Sequence, residues 1–141
     1  MVYRRATIAD AAALAAMNWQ LIRDEGHRNP MTVAELTARM AGWLGGEYEA
    51  VLFEEAGASA GYALYRRDPE YIYLRQFYVC PECRRLGVGR AAVAWLWRHA
   101  WDESRVRVEV LVGNAVGVAF WRSVGFADYA LTLELEPVRP T

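Results

Sequence analysis

An extended apolar run that breaks at a proline and gives way to two glycines most constrains the fold of this chain. The run covers residues 71–79, and Pro81 follows it closely. Beyond Gly89 the sequence contains good helix formers and an apolar stripe, so Gly87 and Gly89 lie where a helix should begin. The stretch therefore predicts a strand, a loop and a helix in succession.

The loop between this strand and this helix has the features of an anion-binding site. A helix N-terminus offers backbone N–H groups without intrahelical acceptors, together with the positive end of the helix dipole. Gly87 and Gly89 have no Cβ that would hold a ligand away, and Arg84, Arg85 and Arg90 add positive charge. We therefore expect the loop to bind a phosphate or pyrophosphate.

Two motifs around this loop resemble the signatures of the GNAT superfamily of acyl-coenzyme A dependent N-acyltransferases. The first signature is a strand ending in Val-x-Pro, then Arg or Gln, two further residues, and Gly-x-Gly or Gly-x-Ala. Here it reads Val79-Cys-Pro-Glu-Cys-Arg-Arg-Leu-Gly-Val-Gly89. The second starts at Asn114 and ends at Gly125 and Phe126, with Trp121 where the family usually has Tyr. Glycines alone would be a weak signal, but the second motif in register makes the resemblance specific.

The other elements follow from periodicity, turn residues and capping signals. Thr32 and Glu35 predict a capping box, and Gly26 suits a helix C-cap. Predicted strands cover 2–5, 48–55, 59–66, 71–79, 105–112 and 129–136, and predicted helices cover 8–25, 32–44, 89–101 and 115–124. This β-α-α-β-β-β-α-β-α-β order predicts an α/β (α+β) fold with a mixed sheet and helices on both faces. The resemblance implies a GNAT-like, mostly antiparallel sheet.

The C-terminal end is shorter than in the family. GNAT proteins usually have a further strand after the second signature, whereas only residues 127–141 follow it here. Either the final hairpin is truncated or a neighbouring subunit completes the sheet. A homodimer is therefore one of two interpretations of this end.

Composition limits the classes of partner. With 16 basic and 17 acidic side chains, the net charge of -1 does not suggest a nucleic-acid surface or a polybasic membrane anchor. No span approaches the ~20 apolar residues of a membrane helix. We expect one domain over residues 1–141, in the cytoplasm, with neither nucleic acid nor membrane as partner.

Cys80 and Cys83 have the spacing of a redox pair or of half a zinc site. The chain has no other cysteine, and His27 and His99 lie at unrelated spacings, so we expect no metal. A redox cysteine should cap a helix, but the predicted helix begins near Gly87. We interpret the pair as two reduced thiols in a loop.

The resemblance implies acetyl-CoA as the co-substrate and assigns residues to it. Consecutive loop residues would bind its pyrophosphate, namely Arg84, Arg85, Leu86, Gly87, Val88, Gly89 and Arg90. Backbone groups at Phe77 and Val79 would pair with the pantetheine arm and direct an N–H to the thioester oxygen. Asn114 would hydrogen-bond this arm, and Phe120 and Trp121 would pack on it. Alternatively, Asn114 only caps a helix and Phe120 belongs to the core.

Two residues are assigned to the acceptor. Polyamine acetyltransferases of this superfamily have an acidic pair in the strand where this chain has Arg75 and Gln76. We therefore expect Arg75 to face the acceptor cleft and to favour acceptors with a carboxylate or phosphate over polycations. His27, in the polar loop after the first predicted helix, is the second candidate for substrate contact.

The general base has several candidates. Glu109 is the best carboxylate within a predicted strand, and the loop alternatives are Glu25, His27, Glu82 and Asp128. Glu109 could instead form an ion pair with Arg107 or Arg75. Bulk water could also deprotonate a weakly basic amine.

The general acid departs from the family pattern. The indole of Trp121 donates a hydrogen bond but does not ionise usefully, unlike the phenol of the usual Tyr. Tyr129 or Tyr78 is then the expected proton donor, or water serves, because a thiol of pKa ~8.5 leaves readily as thiolate.

Two functions of different classes fit these observations. One is an acetyltransferase that acts on a primary amine of a small molecule or protein. The other is an acyl-CoA-binding module that senses its ligand with little or no turnover. A dinucleotide-binding oxidoreductase is disfavoured, because its fingerprint has three glycines in the first strand-helix unit.

Overall fold

A computed structural model describes residues 1–138 of the chain. Within this range the regular elements are β1 (Val2–Arg5), α1 (Ala11–Glu25), α2 (Val33–Leu44), β2 (Tyr48–Glu55), β3 (Ala58–Arg67), β4 (Ile72–Val79), α3 (Val88–His99), β5 (Val106–Val108) and α4 (Ala115–Ser123). One-turn 3₁₀ helices lie at Ile8–Asp10 and Pro81–Cys83. The predicted order of elements is confirmed as far as α4.

Local capping signals set the ends of the first two helices. Glu35 N donates to Thr32 Oγ1 at 3.2 Å, and Thr32 N donates to Glu35 Oε1 at 3.0 Å. Gly26 ends α1 in the left-handed region, with φ of 73°. Both predictions are confirmed, and together these caps fix the loop that joins α1 to α2.

The sheet is mixed and mostly antiparallel, as predicted. The strands lie in the order β1-β2-β3-β4-β5, and β4 with β5 is the parallel pair among the described residues. Helices α1 and α2 cover one face, where Leu14 and Tyr62 are fully buried. Helices α3 and α4 cover the other face, with Leu96 and Trp121 in its core.

A bulge in β4 leaves Arg75 without a partner on β3. Leu74 pairs with Tyr65 and Gln76 pairs with Leu64, so the register skips Arg75. A bulge of this kind bends the strand and increases its twist.

The bulge also reverses which face the later side chains occupy. Leu74 lies in the core under α3 and α4 and Tyr73 in the core under α1 and α2, whereas beyond the bulge Phe77 lies in the first core and Tyr78 in the second. Because side chains alternate in a regular strand, one extra residue inverts this order. The consecutive residues at 75 and 76 therefore both contact the side of α1 and α2.

Strand β5 is shorter than the predicted strand at 105–112. It covers Val106–Val108, and its last pair joins Val108 to Leu74. The bulge follows Leu74 directly, so β4 turns away from β5 at this point. The alternation of polar and apolar residues reports only the local pattern and not the course of the neighbouring strand.

The strand predicted at 129–136 is not formed. Residues 127–138 make no backbone hydrogen bond with any described part of the chain, and Leu131, Leu133 and Leu135 are 86–96% exposed. Side chains tether the segment, since Arg28 Nη2 binds Glu134 at 2.8 Å. The alternation typical of a strand is present, but a strand also needs a partner to accept its backbone hydrogen bonds.

Candidate functional site

The sheet opens where β4 leaves β5. Their parallel pairing consists of Ile72 with Val106, Tyr73 with Arg107, and Leu74 with Val108. Beyond the bulge, residues 76–79 continue to pair with β3 but have no strand on their other edge within the described chain. This part of β4 therefore has free backbone groups facing the gap.

A cleft of about 240 Å³ lies beside the gap, on the side of α1 and α2. Its polar lining comes from α1, the following loop, α2, β4 and the end of β5, namely Asn18, Glu25, His27, Asn29, Arg39, Tyr73, Arg75, Gln76 and Glu109. Phe77, Val108 and Trp121 contribute apolar surface. A smaller cavity of about 170 Å³, around Glu49 and Trp95, has none of these residues in its lining.

Glu109 lies in the cleft as an exposed carboxylate without an ion-pair partner among residues 1–138. The alternative that it pairs with Arg107 or Arg75 is not observed. Arg107 instead lies over the ring of Tyr71, 4.1 Å from its centre. Glu109 is therefore available as a proton acceptor.

Tyr73 is a cleft residue that the sequence analysis missed. Burial raises the pKa of its phenol, and the nearby Glu109 carboxylate raises it further. The side chain therefore keeps its proton at neutral pH. Its signal in the sequence was the alternation with Ile72 and Leu74, which places Tyr73 on the opposite face from those core residues.

The loop candidates for the base divide into two groups. Glu25 and His27 line the cleft, and His27 Nε2 lies 3.0 Å from Glu25 Oε1. Asp128 is exposed and paired with Arg122 at 2.7 Å, which lowers the pKa of the carboxyl. Glu82 is exposed in the 3₁₀ turn, outside the cleft lining.

Arg75 lines the cleft, and its role toward an acceptor stays a prediction. Its Nη1 donates to Tyr48 Oη at 3.3 Å, and its guanidinium lies over Trp43. Gln76 is buried beside it, and its Oε1 accepts a hydrogen bond from Tyr62 Oη at 2.8 Å. The bulge thus supplies one charged side chain to the cleft and one side chain that holds the strand to the core.

Arg39 of α2 is a second cleft cation that the sequence analysis missed. It is half-buried, its Nη2 donates to Asn18 Oδ1 at 3.1 Å, and its Nε is buried without an acceptor. A solvated residue on the outer face of a helix would have the same sequence pattern. Its role depends on how α2 packs against α1 and β2, which periodicity alone does not reveal.

Trp121 forms part of the cleft wall and of the core below it. The side chain is buried, and edge-to-face contacts join it to Phe77 at 5.1 Å, Phe120 at 4.9 Å and Phe126 at 5.1 Å. Such contacts are favourable for aromatic rings. Trp121 therefore shapes the site by filling space.

The two tyrosines expected to supply the acid lie outside the cleft lining. Tyr129 is 76% exposed, and its Oη accepts from Arg107 Nη2 at 3.1 Å. Tyr78 is buried against Tyr62, and this burial raises its pKa. Their catalytic roles stay predictions, and Tyr73 is better placed.

The loop before α3 presents a row of free donors. None of the backbone N–H groups from Arg85 to Arg90 has a hydrogen-bond acceptor within residues 1–138. Arg85 and Gly87 adopt positive φ values of 64° and 78°, which turn the chain into the helix. A Cβ on Gly87 would meet no atom within 4 Å, so the loop is open on this side.

The three loop arginines differ in their contacts. Arg84 Nη2 binds Asp24 Oδ2 of α1 at 2.6 Å, and its Nε donates to the Val79 carbonyl at 2.8 Å. Arg90 donates to the Ser123 carbonyl at 3.0 Å. Arg85 is exposed and makes no ion pair within the described chain. Two of the arginines thus anchor the loop, and Arg85 has a free charge.

The expectation for Gly89 needs correction. A Cβ at this position would lie 3.0 and 3.1 Å from two atoms of the Phe120 ring, so the missing Cβ makes room for Phe120. That ring stacks on Phe77, with centres 5.9 Å apart. Phe120 therefore connects α3, α4 and β4, and its packing in the core is observed.

Asn114 caps α4. Its Oδ1 accepts the Gly117 N–H at 3.0 Å, and a Cβ at Gly117 would collide with the Asn114 amide. The alternative of a capping residue is therefore correct, and contact with a cofactor stays a prediction.

The cysteines are both free thiols. Burial raises the pKa of the Cys80 thiol, whose Sγ lies 3.3 Å from the Ser59 carbonyl, and this shift disfavours the reactive thiolate. Within residues 1–138 no three His, Cys, Asp or Glu side chains are grouped so that they could hold a metal ion. No helix in that range is long and apolar enough to cross a membrane.

Sequence comparison identifies one family. The model of the acetyltransferase (GNAT) family matches residues 12–126, which is most of the chain. A search of curated proteins found no significant match.

Structural comparison finds the same fold in solved acetyltransferases. "A possible acetyltransferase from Clostridium difficile 630" has a TM-score of 0.80 at 16% identity, covering 97% of each chain. Aminoglycoside N-acetyltransferase AAC(6')-Iy, solved with CoA, has a TM-score of 0.77 at 13% identity, covering 96% of this chain and 93% of that one. A predicted acetyltransferase from Clostridium acetobutylicum, solved with acetyl-CoA, has a TM-score of 0.76 at 20% identity, covering 96% and 95%. At these identities the similarity establishes the fold.

Proposed function

The chain belongs to the GNAT family of acetyltransferases and is an acyl-CoA dependent N-acyltransferase, and we propose that it acetylates a primary amine of a small molecule or a protein. The divergence of β4 from β5 carries this proposal. It leaves a free strand edge beside a cleft that contains a protonated phenol and a carboxylate without an ion-pair partner in residues 1–138. A loop follows the same strand, and six consecutive N–H groups in it have no acceptor within the described residues.

The residues present fit acetyl-CoA. The N–H groups of residues 85–90 suit a pyrophosphate, and Arg85 supplies a charge that no other described residue neutralises. The free edge of β4 at residues 75–79 offers backbone groups to the amides of the pantetheine arm. When bound, acetyl-CoA supplies the acetyl group, while the chain positions the amine and handles the protons.

Glu109 and Tyr73 are the proposed proton-handling pair. Glu109 takes the proton of the acceptor amine, since it is a cleft carboxylate with no cation bound to it in residues 1–138. Tyr73 Oη holds a proton at neutral pH as any phenol does, and burial and Glu109 both raise its pKa further. It thus supplies the donor that Trp121 does not.

An acceptor screen tests the proposal. Amines and peptides are incubated with acetyl-CoA, and release of free thiol is measured for the wild type, Tyr73→Phe and a control, Tyr71→Phe. Tyr71 lies under Arg107 and outside the cleft lining. We expect Tyr73→Phe to slow turnover by about 10²-fold, a usual contribution of a general acid, and Tyr71→Phe to match the wild type.

The buried Trp121 favours the second candidate, a binding module. Its indole occupies the family's acid position and serves the core. If the wild type binds acetyl-CoA by calorimetry but releases no thiol with any acceptor, this second function replaces the first.

We also propose that the chain forms a homodimer through residues 129–136. Leu131, Leu133 and Leu135 give this segment an apolar face that no described residue covers. Strand β5 has three residues, too few to pair with the whole segment. The same segment of a second copy has equal length and pattern, and two such segments can pair antiparallel about a twofold axis.

Light scattering after size exclusion tests the dimer. Leu133→Glu places a charge on the apolar face, whereas the control Thr132→Glu places it on the opposite face of the same segment. We expect a dimer for the wild type and the control and a monomer for Leu133→Glu. A monomeric wild type would rule out the proposed pairing.

A further inference from the structure

Two arginines from different elements meet at one indole in the acceptor cleft. The guanidinium of Arg39, from α2, lies 4.4 Å from the centre of the Trp43 ring, and that of Arg75, from β4, lies 4.7 Å from it. Both side chains line the cleft. The fold therefore brings two positive charges together on one wall of the proposed acceptor site.

Neither arginine has a carboxylate partner among the described residues. Arg39 binds the amide oxygen of Asn18 and Arg75 binds the hydroxyl of Tyr48, and both of these acceptors are neutral. Seven other arginines in the same part of the chain are paired with acidic groups, namely Arg4, Arg5, Arg28, Arg66, Arg67, Arg84 and Arg122. Arg23, Arg90 and Arg107 also have neutral acceptors. What distinguishes Arg39 and Arg75 is therefore that two guanidinium groups without an acidic partner in residues 1–138 lie against one indole.

Arg39 is also incompletely hydrogen-bonded. Its Nε is buried and has no acceptor within residues 1–138. Burial lowers the pKa of its guanidinium, and the positive charge of Arg75 lowers it further. A buried donor and two adjacent like charges are both unfavourable unless an anion lies between them.

We propose that Arg39 and Arg75 form an anion-binding subsite, so that the acceptor is an amine that also carries a carboxylate or phosphate group. This inference rests on the proposed acetyltransferase function and names its substrate class. Guanidinium groups bind such oxyanions through paired N–H donors. The cleft then has two kinds of charged group, with Glu109 for the amine and the two arginines for the anionic group.

The volume of the cleft agrees with a small acceptor. At about 240 Å³ it has room for a group of the size of an amino acid. Asn29, His27 and Gln76 add polar contacts around it. A long polycation would meet the two arginines and be repelled.

Matched acceptor pairs test the subsite. Turnover is measured for amino acids against their amides, which lack the carboxylate, and for O-phosphoethanolamine against ethanolamine. We expect the wild type to favour the anionic member by about tenfold or more in kcat/KM, since a hydrogen bond to a charged group contributes about this factor. The carboxylate and phosphate pairs show which oxyanion is preferred.

The variants are Arg39→Gln, Arg75→Gln and the control Arg23→Gln. Arg23 also lies over an indole, 3.3 Å from the centre of Trp19, but is outside the cleft lining. We expect the first two variants to lose the preference and the control to keep it. Arg39→Lys and Arg75→Lys should recover part of it, and thermal melts check that each variant is folded.

A binding measurement separates this inference from the proposed function. Calorimetric titration with N-acetylalanine and with N-acetylalaninamide needs no turnover. Tighter binding of the acid that is lost in Arg39→Gln and Arg75→Gln supports the subsite even if no acceptor is acetylated. Equal binding of the two compounds, or a preference that persists in both variants, overturns the subsite even if acetylation occurs.

Discussion

The loop before α3 and the acceptor cleft bind their proposed ligands by different means. The loop offers the backbone N–H groups of residues 85–90, which every residue type except proline provides. The cleft offers the side chains of Arg39, Tyr73, Arg75 and Glu109. The packing of the helices on the sheet and the bulge in β4 bring these side chains together. A substitution in the loop should therefore change ligand binding when it adds bulk or changes the backbone conformation. A substitution in the cleft should change activity when it alters the functional group of a side chain.

The largest effect is expected from Glu109→Gln. This change keeps the shape of the side chain but removes the proton acceptor, so turnover should fall by about 10²- to 10⁴-fold. The affinity for acetyl-CoA, measured by calorimetry, should stay the same because the loop is untouched. The two measurements together separate the cleft from the loop.

Glu103→Gln is the matched control for this change. Glu103 is an exposed carboxylate in the turn after α3, outside the cleft lining. Turnover in Glu103→Gln should equal that of the wild type. If Glu109→Gln keeps its turnover, Glu109 is not the base, and Glu25, His27 or water takes the proton instead.

The next largest effect is expected from Gly89→Ala in the loop. The added Cβ would lie 3.0 Å from the Phe120 ring, so Phe120 or the start of α3 must shift. We expect a loss of about 1–3 kcal/mol in the free energy of unfolding, as for other overpacked sites, and at least a severalfold loss of acetyl-CoA affinity.

Gly42→Ala is the contrasting control, because we expect it to raise the free energy of unfolding. Gly42 lies inside α2, and a Cβ there would meet no atom within 4 Å. Ala has the higher helix propensity, so this variant should gain about 0.5–1 kcal/mol. If Gly89→Ala were stabilised in the same way in thermal melts, Phe120 would not hold the loop.

A smaller effect is expected from Trp121→Tyr. The smaller ring fills less of the space among Phe77, Phe120 and Phe126, which should cost about 1–2 kcal/mol in unfolding free energy. With Tyr73 as the donor, Trp121→Tyr and Trp121→Phe should have equal turnover. A higher rate in Trp121→Tyr alone, most visible below pH ~8.5, would return the role of acid to this position.

The loop was predictable because its signals are local. Pro81, the glycines and the helix formers beyond them act within a few residues of one another, and the structure has the strand, loop and helix that they predict. Gly89 was the exception, because its neighbour Phe120 lies about thirty residues away in the sequence. Contacts of that kind are not visible in a local pattern.

The cleft was less predictable because it depends on tertiary packing. The position of Arg39 depends on where α2 lies against α1 and β2, and the short β5 depends on the bulge at Arg75. One signal was available in the sequence. Two consecutive polar residues, Arg75 and Gln76, lie between Leu74 and Phe77, so these two apolar residues are three positions apart and do not fit the two-residue alternation of a regular strand. An extra residue in the strand explains that spacing.

Asp24 connects the two regions. It lies near the end of α1, and the loop residue Arg84 binds it at 2.6 Å. Burial favours the protonated acid, but hydrogen bonds from Arg84 and Gln20 outweigh this, so the pKa of Asp24 is lower than usual. The stabilisation that ionised Asp24 gives to the fold is therefore present above the ordinary carboxyl pKa of about 3.9. It is lost as the pH falls through the lowered pKa of Asp24.

The smallest effect is expected from Asp24→Asn, which releases the loop from α1 without changing its N–H groups. A partly exposed ion pair contributes about 0.2–1 kcal/mol, so acetyl-CoA affinity at pH 7 should fall by about five-fold at most. Asp128→Asn removes the exposed pair with Arg122, away from the loop, and should leave this affinity unchanged. Equal calorimetric affinities for all three proteins would mean that the loop holds its own conformation, independently of the helix that borders the cleft.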